Sequence, residues 1–149
     1  KQAGSYPLAS LLLNREAGHV VVMIDALFSQ PNYVAAKKML DGIVLRHEAI
    51  ASNLANIEKP GYKRIDVAPS FSAELQQAVA AGNPDQIAGI QPRLAVDSAA
   101  IASNRDGNSV QLETELAEMN KNFLVHALET QLVTSNLLKL RLAITGRPS

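Results

Sequence analysis

Two stretches of the chain place apolar residues alternately four and three apart, the spacing of one face of an α-helix. In the first, Ala36, Leu40, Ile43, His47, Ile50, Leu54 and Ile57 mark a seam sustained for about three heptads. The pattern becomes regular from Ala35, with Asn32 as a candidate cap between Pro31 and Tyr33. Lys37, Lys38, Asp41, Arg46 and Glu48 fall off the seam and predict a solvated face. Gly42 costs about 1 kcal/mol relative to alanine inside a helix, so it either admits a close neighbour or is simply tolerated. His47 has no companion at metal-ligand spacing and reads as a packed or partner-bonded imidazole, a polar seam residue of the kind that fixes register.

The second stretch is longer. Leu112, Leu116, Met119, Phe123, His126, Thr130, Val133, Leu137, Leu140 and Ile144 keep the spacing, and Leu124, Leu128, Leu132, Leu138 and Leu142 add a second apolar line beside it. Glu113, Glu115 and Glu118 crowd its start and Lys139 and Arg141 its end, in the sense that suits the helix dipole. Gly146 and Pro148 close it. At 1.5 Å per residue such a helix spans about 50 Å.

Between them, from Arg64 to about Asn108, Pro69, Pro84 and Pro92 alternate with Gly82, Gly89 and Gly107. Ser70 or Ser72 is a candidate cap for a short helix through Glu74, Leu75, Ala78 and Val79 that ends near Gly82. Leu94 and Val96 alternate as in a short strand, and Asp106-Gly107 is a turn dipeptide. With few apolar residues, this middle third is expected to be partly disordered or to order on a partner. The pattern therefore predicts a mainly α fold. Its two long terminal helices form an antiparallel, coiled-coil-like pair, with a small loop-rich insert containing minor β structure. The expected segments are 23–63 (first helix and turn), 64–109 (insert) and 110–149 (second helix). Residues 1–22 read as vector-derived sequence or an upstream extension of a chain that begins naturally at Met23, and they show no secretory signal.

Packed as a pair, the helices cover one stripe each and leave the second leucine line of the C-terminal helix wet. An exposed apolar stripe marks an interface. It is buried either against further subunits or, in a monomeric bundle, by the middle segment, and the spacing leaves both open.

Composition narrows the chemistry. Fourteen basic and fourteen acidic residues balance to a formal net charge of zero, which gives no electrostatic footprint for nucleic acid. The chain has no cysteine, hence no disulfide or thiolate metal site, and only 4% aromatic residues, too few for a base-stacking platform. No apolar run approaches the roughly 18 residues needed to cross a bilayer, so an integral membrane protein is not expected. His19, His47 and His126 lie on different segments, and no nucleophile triad, phosphate loop or cofactor motif is present. Glu113, Glu115 and Glu118 read as a solvated first helical turn rather than a catalytic acid pair. The expectation is a protein that is not an enzyme and needs no cofactor.

The first helix breaks at Asn53-Leu54-Ala55-Asn56-Ile57-Glu58-Lys59-Pro60-Gly61-Tyr62-Lys63. Pro60 disfavours helical backbone at Lys59, Gly61 can take positive φ, and the amides of Asn53 and Asn56 can bond backbone groups freed where a helix unwinds. Tyr62 adds a ring with a polar tip. This run resembles the N-terminal signature of the bacterial flagellar axial proteins, with Asn53, Ala55, Asn56, Pro60, Gly61, Tyr62 and Lys63 in register and Lys59 where that family has threonine. The C-terminal part, from Asn108-Ser109-Val110-Gln111-Leu112 through Glu115, Met119, Asn122, Leu124 and Ala127 to Leu138 and Ile144, is similar to the end of the shortest, proximal rod subunits. There Gln111 stands where aspartate is usual.

The resemblance to the flagellar basal-body rod protein family implies a structural subunit of the proximal rod. Such a subunit would be exported through the flagellar type III apparatus without a cleaved signal, and would reside in the periplasmic part of the basal body. The implied partners are further copies, other rod subunits and the adaptors joining rod to MS ring. The implied assembly seam is Leu40, Ile43, Ile50, Leu54, Leu116, Met119, Phe123, Val133, Leu137 and Leu140, and Leu27 and Phe28 form a candidate export-recognition segment. A soluble helical chaperone or adaptor is the alternative reading. A wall-degrading enzyme would need an acid pair that is not found.

Overall fold

Helix α1 spans Pro31–Ala55 and helix α4 Leu112–Thr145; between them lie β1 (Ile65–Val67), α2 (Pro69–Ala81), α3 (Pro84–Gly89) and β2 (Leu94–Val96). The computed structural model describes residues 30–101 and 105–146, without the side chains of residues 143 and 144. The leading segment 1–22, Leu27, Phe28 and the Ile144 side chain lie outside the described residues.

Helix α1 opens four residues earlier than the periodicity indicates. Pro31 occupies its first position, where a fixed φ and a missing N–H cost nothing. It ends by tightening: Ile57 N–H reaches back to Leu54 and Lys59 N–H to Asn56. Gly61, at φ 69°, then turns the chain. Strands β1 and β2 pair antiparallel, with Ile65 opposite Val96 and Val67 opposite Leu94.

The insert carries this minor β structure and also supplies four of the five buried residues of one apolar cluster. Phe71, Leu75, Ala78 and Ile87 bury themselves with Ala35 of α1, and Val34, Val67, Val79 and Ile90 pack against them. Helix α2 starts on Pro69 with Ala68, not a serine, at the cap position; Ser72 Oγ instead donates to the Pro69 carbonyl. The stop at Gly82 in left-handed conformation is as expected. Helix α3, which periodicity is too short to reveal, is capped by Asn83, whose side-chain oxygen accepts from the Asp85 and Gln86 N–H groups. Gly42 is the point where α2 meets α1: a Cβ there would lie 2.6 Å from Phe71 Cε1.

Helices α1 and α4 run antiparallel, Asn53 bonding to Glu115 and Asn122 to the Ile43 carbonyl. The buried side of α1 is Ala35, Ala36, Gly42, Ile43, Ala49, Ile50 and Asn53. His47 is exposed in the single chain. Arg46 is not purely solvated; its Nε pairs with Asp66 at 2.9 Å. Among the described residues no helix is long and apolar enough to cross a membrane.

Candidate functional site

The turn after α1 is the centre of a polar clasp that ties both long helices to the insert. Asn53 is fully buried at the last turn of α1. Its Nδ2 donates to the Ile65 carbonyl (2.9 Å) and to Glu115 Oε2 (3.2 Å). Its Oδ1 accepts from the Ile65 N–H (3.0 Å) and from the Tyr62 hydroxyl (3.4 Å). An asparagine amide has two donors and two acceptor positions, and here all four are used. Asn53 thereby replaces a strand neighbour for β1. The Tyr62 hydroxyl also lies 3.2 Å from Ser52 Oγ, so the ring is held against the helix end.

Arg64 and Glu115 form the charged heart of the clasp. Glu115 is fully buried, and its Oε1 accepts from Arg64 Nε at 2.6 Å. Arg64 Nη1 reaches Asp97 at 2.7 Å and Asp66 at 3.4 Å, and the Arg64 backbone N–H donates to Ser109 Oγ. Burial alone would lower the Arg64 pKa. The hydrogen bond and Coulombic attraction to Glu115, helped by Asp97 and Asp66, outweigh that and hold it above the ordinary arginine value. Glu115 is therefore no solvated first-turn acid: it is an ion-pair partner with both oxygens engaged.

Asn108 closes the other side. It is fully buried, and its Nδ2 lies 2.9–3.0 Å from the carbonyls of Asn56, Ile57 and Lys59 at the exit of the helix, two of which also accept from the Lys59 and Tyr62 N–H groups. Its Oδ1 accepts from the Val110 N–H. The Asp106-Gly107 turn aims it: Asp106 Oδ1 accepts from the Asn108 N–H, and Gly107 has φ 78°. The Gly61 N–H donates to the Asp106 carbonyl, Lys63 Nζ to the Gly107 carbonyl, and the Ser109 N–H to the Tyr62 carbonyl. The two glycine turns thus lie against each other. Asn56 serves locally, its Nδ2 donating to the Ser52 carbonyl, while Ala55, Pro60 and Lys63 are exposed on the turn.

Periodicity alone could not identify Arg64, Asn108 or Glu115 as members. The available signal was two polar clusters, Lys63-Arg64 and Asp106-Gly107-Asn108-Ser109, that flank the insert at both of its ends.

The helical seam residues divide. Ile43 and Ile50 are buried and Leu40 and Leu54 half-buried on α1; Met119, Val133 and Leu140 are half-buried on α4. Leu116, Phe123 and Leu137 are exposed and make no core in the single chain. On α4 the residues turned inward are instead Glu115, Asn122 and Glu129. The second leucine line is wet, with Leu124 63% and Leu128 66% exposed, and Leu132, Leu138 and Leu142 also out. An open apolar groove of about 580 Å³ lies between α1, α2 and α4, lined by Met39, Ile43, Phe71, Leu75, Val79 and Val125 among others.

Every ionised side chain of the clasp is engaged in holding backbone or another charge, an arrangement suited to fixing geometry rather than to proton transfer. Among the described residues no group of three histidine, aspartate or glutamate side chains is placed to hold a metal ion. No family model matches the chain. A curated relative, the flagellar basal body rod protein FlgB of Borrelia hermsii, is 30% identical over 115 residues, which takes in 65% of this chain and 83% of the relative.

Proposed function

This chain belongs to the flagellar basal body rod protein family, and we propose that it is a structural subunit of the rod that assembles through the outward face of α4. The observation that carries the reading is the leucine line Leu124, Leu128, Leu132, Leu138 and Leu142, all exposed on a helix of 34 residues. Burying a leucine contributes about 1.5–3 kcal/mol, so a free chain forgoes several such increments that a neighbouring subunit restores. The groove between α1, α2 and α4 lies apart from that line. A stripe and a groove on different faces suit head-to-tail contacts, which extend into a filament when they do not close a ring. Repeated along the axis, such contacts make a stiff shaft able to transmit torque.

The clasp at Asn53, Asn56, Gly61 and Tyr62 sets the angle between the two helices and so the shape each copy presents. Further copies, other rod subunits and the adaptors joining rod to MS ring are the proposed neighbours, in the periplasmic part of the basal body. Export through the flagellar type III apparatus without a cleaved signal completes the proposal.

The test is the double substitution Leu124→Asp/Leu128→Asp in the bacterium that makes the chain. Both side chains already face water, so the helix content of the purified variant should match wild type, while swimming is lost and the chain is missing from isolated basal bodies. Normal swimming overturns the proposal. A wild-type chain found only in a cytosolic complex with one client would replace it with a chaperone or adaptor role.

A further inference from the structure

Helix α4 turns a line of three polar residues toward the protein while a line of leucines faces water, the reverse of what an ordinary amphipathic helix does with such lines. Glu115, Asn122 and Glu129 are each more than nine-tenths buried and recur every seven residues, and half-buried Asn136 continues the line. At 3.6 residues per turn, Leu124 lies about 200° round the helix from Asn122. Hydrophobic burial alone would favour a helix rolled by about half a turn, with the leucines against α1.

Two of the polar residues oppose that roll. Glu115 is held by Arg64 and Asn53, and Asn122 Nδ2 donates to the Ile43 carbonyl at 3.1 Å. Rolling the helix would break those bonds, carry Glu115 out to water and leave the buried Arg64 without its Glu115 partner, and a buried charge that loses its partner is costly. Glu129 adds a different observation. Its Oε2 is the buried side-chain oxygen that, among the described residues, has no hydrogen-bond partner. A buried oxygen in that state does not stabilise the chain's own fold. It does exclude an apolar residue from a position where one would help glue α4 to its own core.

Resting on the reading of the leucine line as the subunit-facing surface, we propose that Glu115, Asn122 and Glu129 are positioning residues. They fix the rotation of α4 about its own axis, so that the leucines stay available to a second copy of the chain instead of being consumed in its own core. A second copy fits because the line itself carries no charge and the chain is neutral overall, so copies meet without net repulsion. The device resembles a single polar residue at a coiled-coil core position, which lowers stability and specifies how helices face each other.

The chain contains no cysteine, so rotation can be read by placing one thiol at a time. Leu124→Cys and Val125→Cys are made in the wild-type background and in Asn122→Leu/Glu129→Leu, using the full chain at low concentration. Maleimide labelling should run several times faster at position 124 than at 125 in the wild-type background. In the double-leucine background the ratio should fall to near one or invert, with helix content kept. An unchanged ratio overturns the proposal.

Should the double variant not fold, Glu129→Leu alone must shift the ratio in the same direction, and no shift there is equally fatal. The subunit-surface reading fails separately. Normal swimming of the Leu124→Asp/Leu128→Asp strain would defeat it while leaving the labelling result as it stands.

Discussion

At the scale of single residues, the clasp places the stability of the turn on one charge pair. Arg64→Met leaves Glu115 buried without its cation, a situation that costs about 3–5 kcal/mol. Arg64→Met combined with Glu115→Leu removes both charges and should recover most of that loss. Urea unfolding of the two single variants and the double variant measures it; a cost below about 1 kcal/mol for Arg64→Met would show that water reaches Glu115. The pH dependence has a definite sign. The folded-state pKa of Arg64 is raised, so its contribution is fully present below the unfolded arginine value and is lost only as pH rises through the folded one. The Arg64 contribution should therefore be the same at about pH 7 and about pH 10. Some of this was legible in the sequence. Asn53, Gly61 and Tyr62 stand out because a helix, a proline and a turn meet there. Arg64, Asn108 and Glu115 do not, because their roles depend on contacts across more than 40 residues of chain, and spacing reports only local neighbours.

At the scale of elements, apolar spacing located both long helices but not the way they face. On α1 the buried side follows the four-and-three pattern through Ala36, Ile43 and Ile50, and departs from it at exposed His47, with Ala49 and Asn53 buried instead. On α4 the residues facing in are Glu115, Asn122 and Glu129, and the hydrogen bonds of the first two to Asn53, Arg64 and the Ile43 carbonyl override the leucines. A pattern of apolar residues cannot register such an override. The insert was under-read for another reason. Its apolar side chains are few, yet Phe71, Leu75 and Ile87 converge on one side of α1. Gly42 is what lets them converge. Gly42→Ala gains about 1 kcal/mol of helix propensity but forces a methyl to within 2.6 Å of the Phe71 ring. Overpacking costs about 1–3 kcal/mol, so the net expectation is a destabilisation of about 1 kcal/mol. Gly42→Ala with Phe71→Leu should be less destabilised than the sum of the two single variants. Thermal unfolding of all three reads the coupling, and strict additivity would show that the ring swings aside freely.

At the scale of the whole molecule, stability should be graded from one end of α4 to the other. Near its start the helix is held by Glu115 to Arg64 and Asn53, and about two turns later by Asn122 to the Ile43 carbonyl. Beyond Asn122, Thr145 bonds back to the Arg141 carbonyl, and Glu129 Oε2 is unpaired among the described residues. The same half exposes Leu128, Leu132, Leu137, Leu138 and Leu142. Segments with few buried contacts and exposed backbone hydrogen bonds open at a small fraction of the global unfolding free energy. In the dilute free chain, hydrogen exchange should therefore be slowest at residues 48–55 and 115–122 and faster by at least about 100-fold at residues 134–145. A factor of that size corresponds to about 2.7 kcal/mol between local and more global opening. Packing against a neighbour buries the leucines and should remove the gradient, so the same amides measured in isolated rods would be protected to a similar degree throughout. Uniform protection of α4 in the dilute chain would mean that the helix is already complete alone, and the outward leucines would then need a purpose other than assembly.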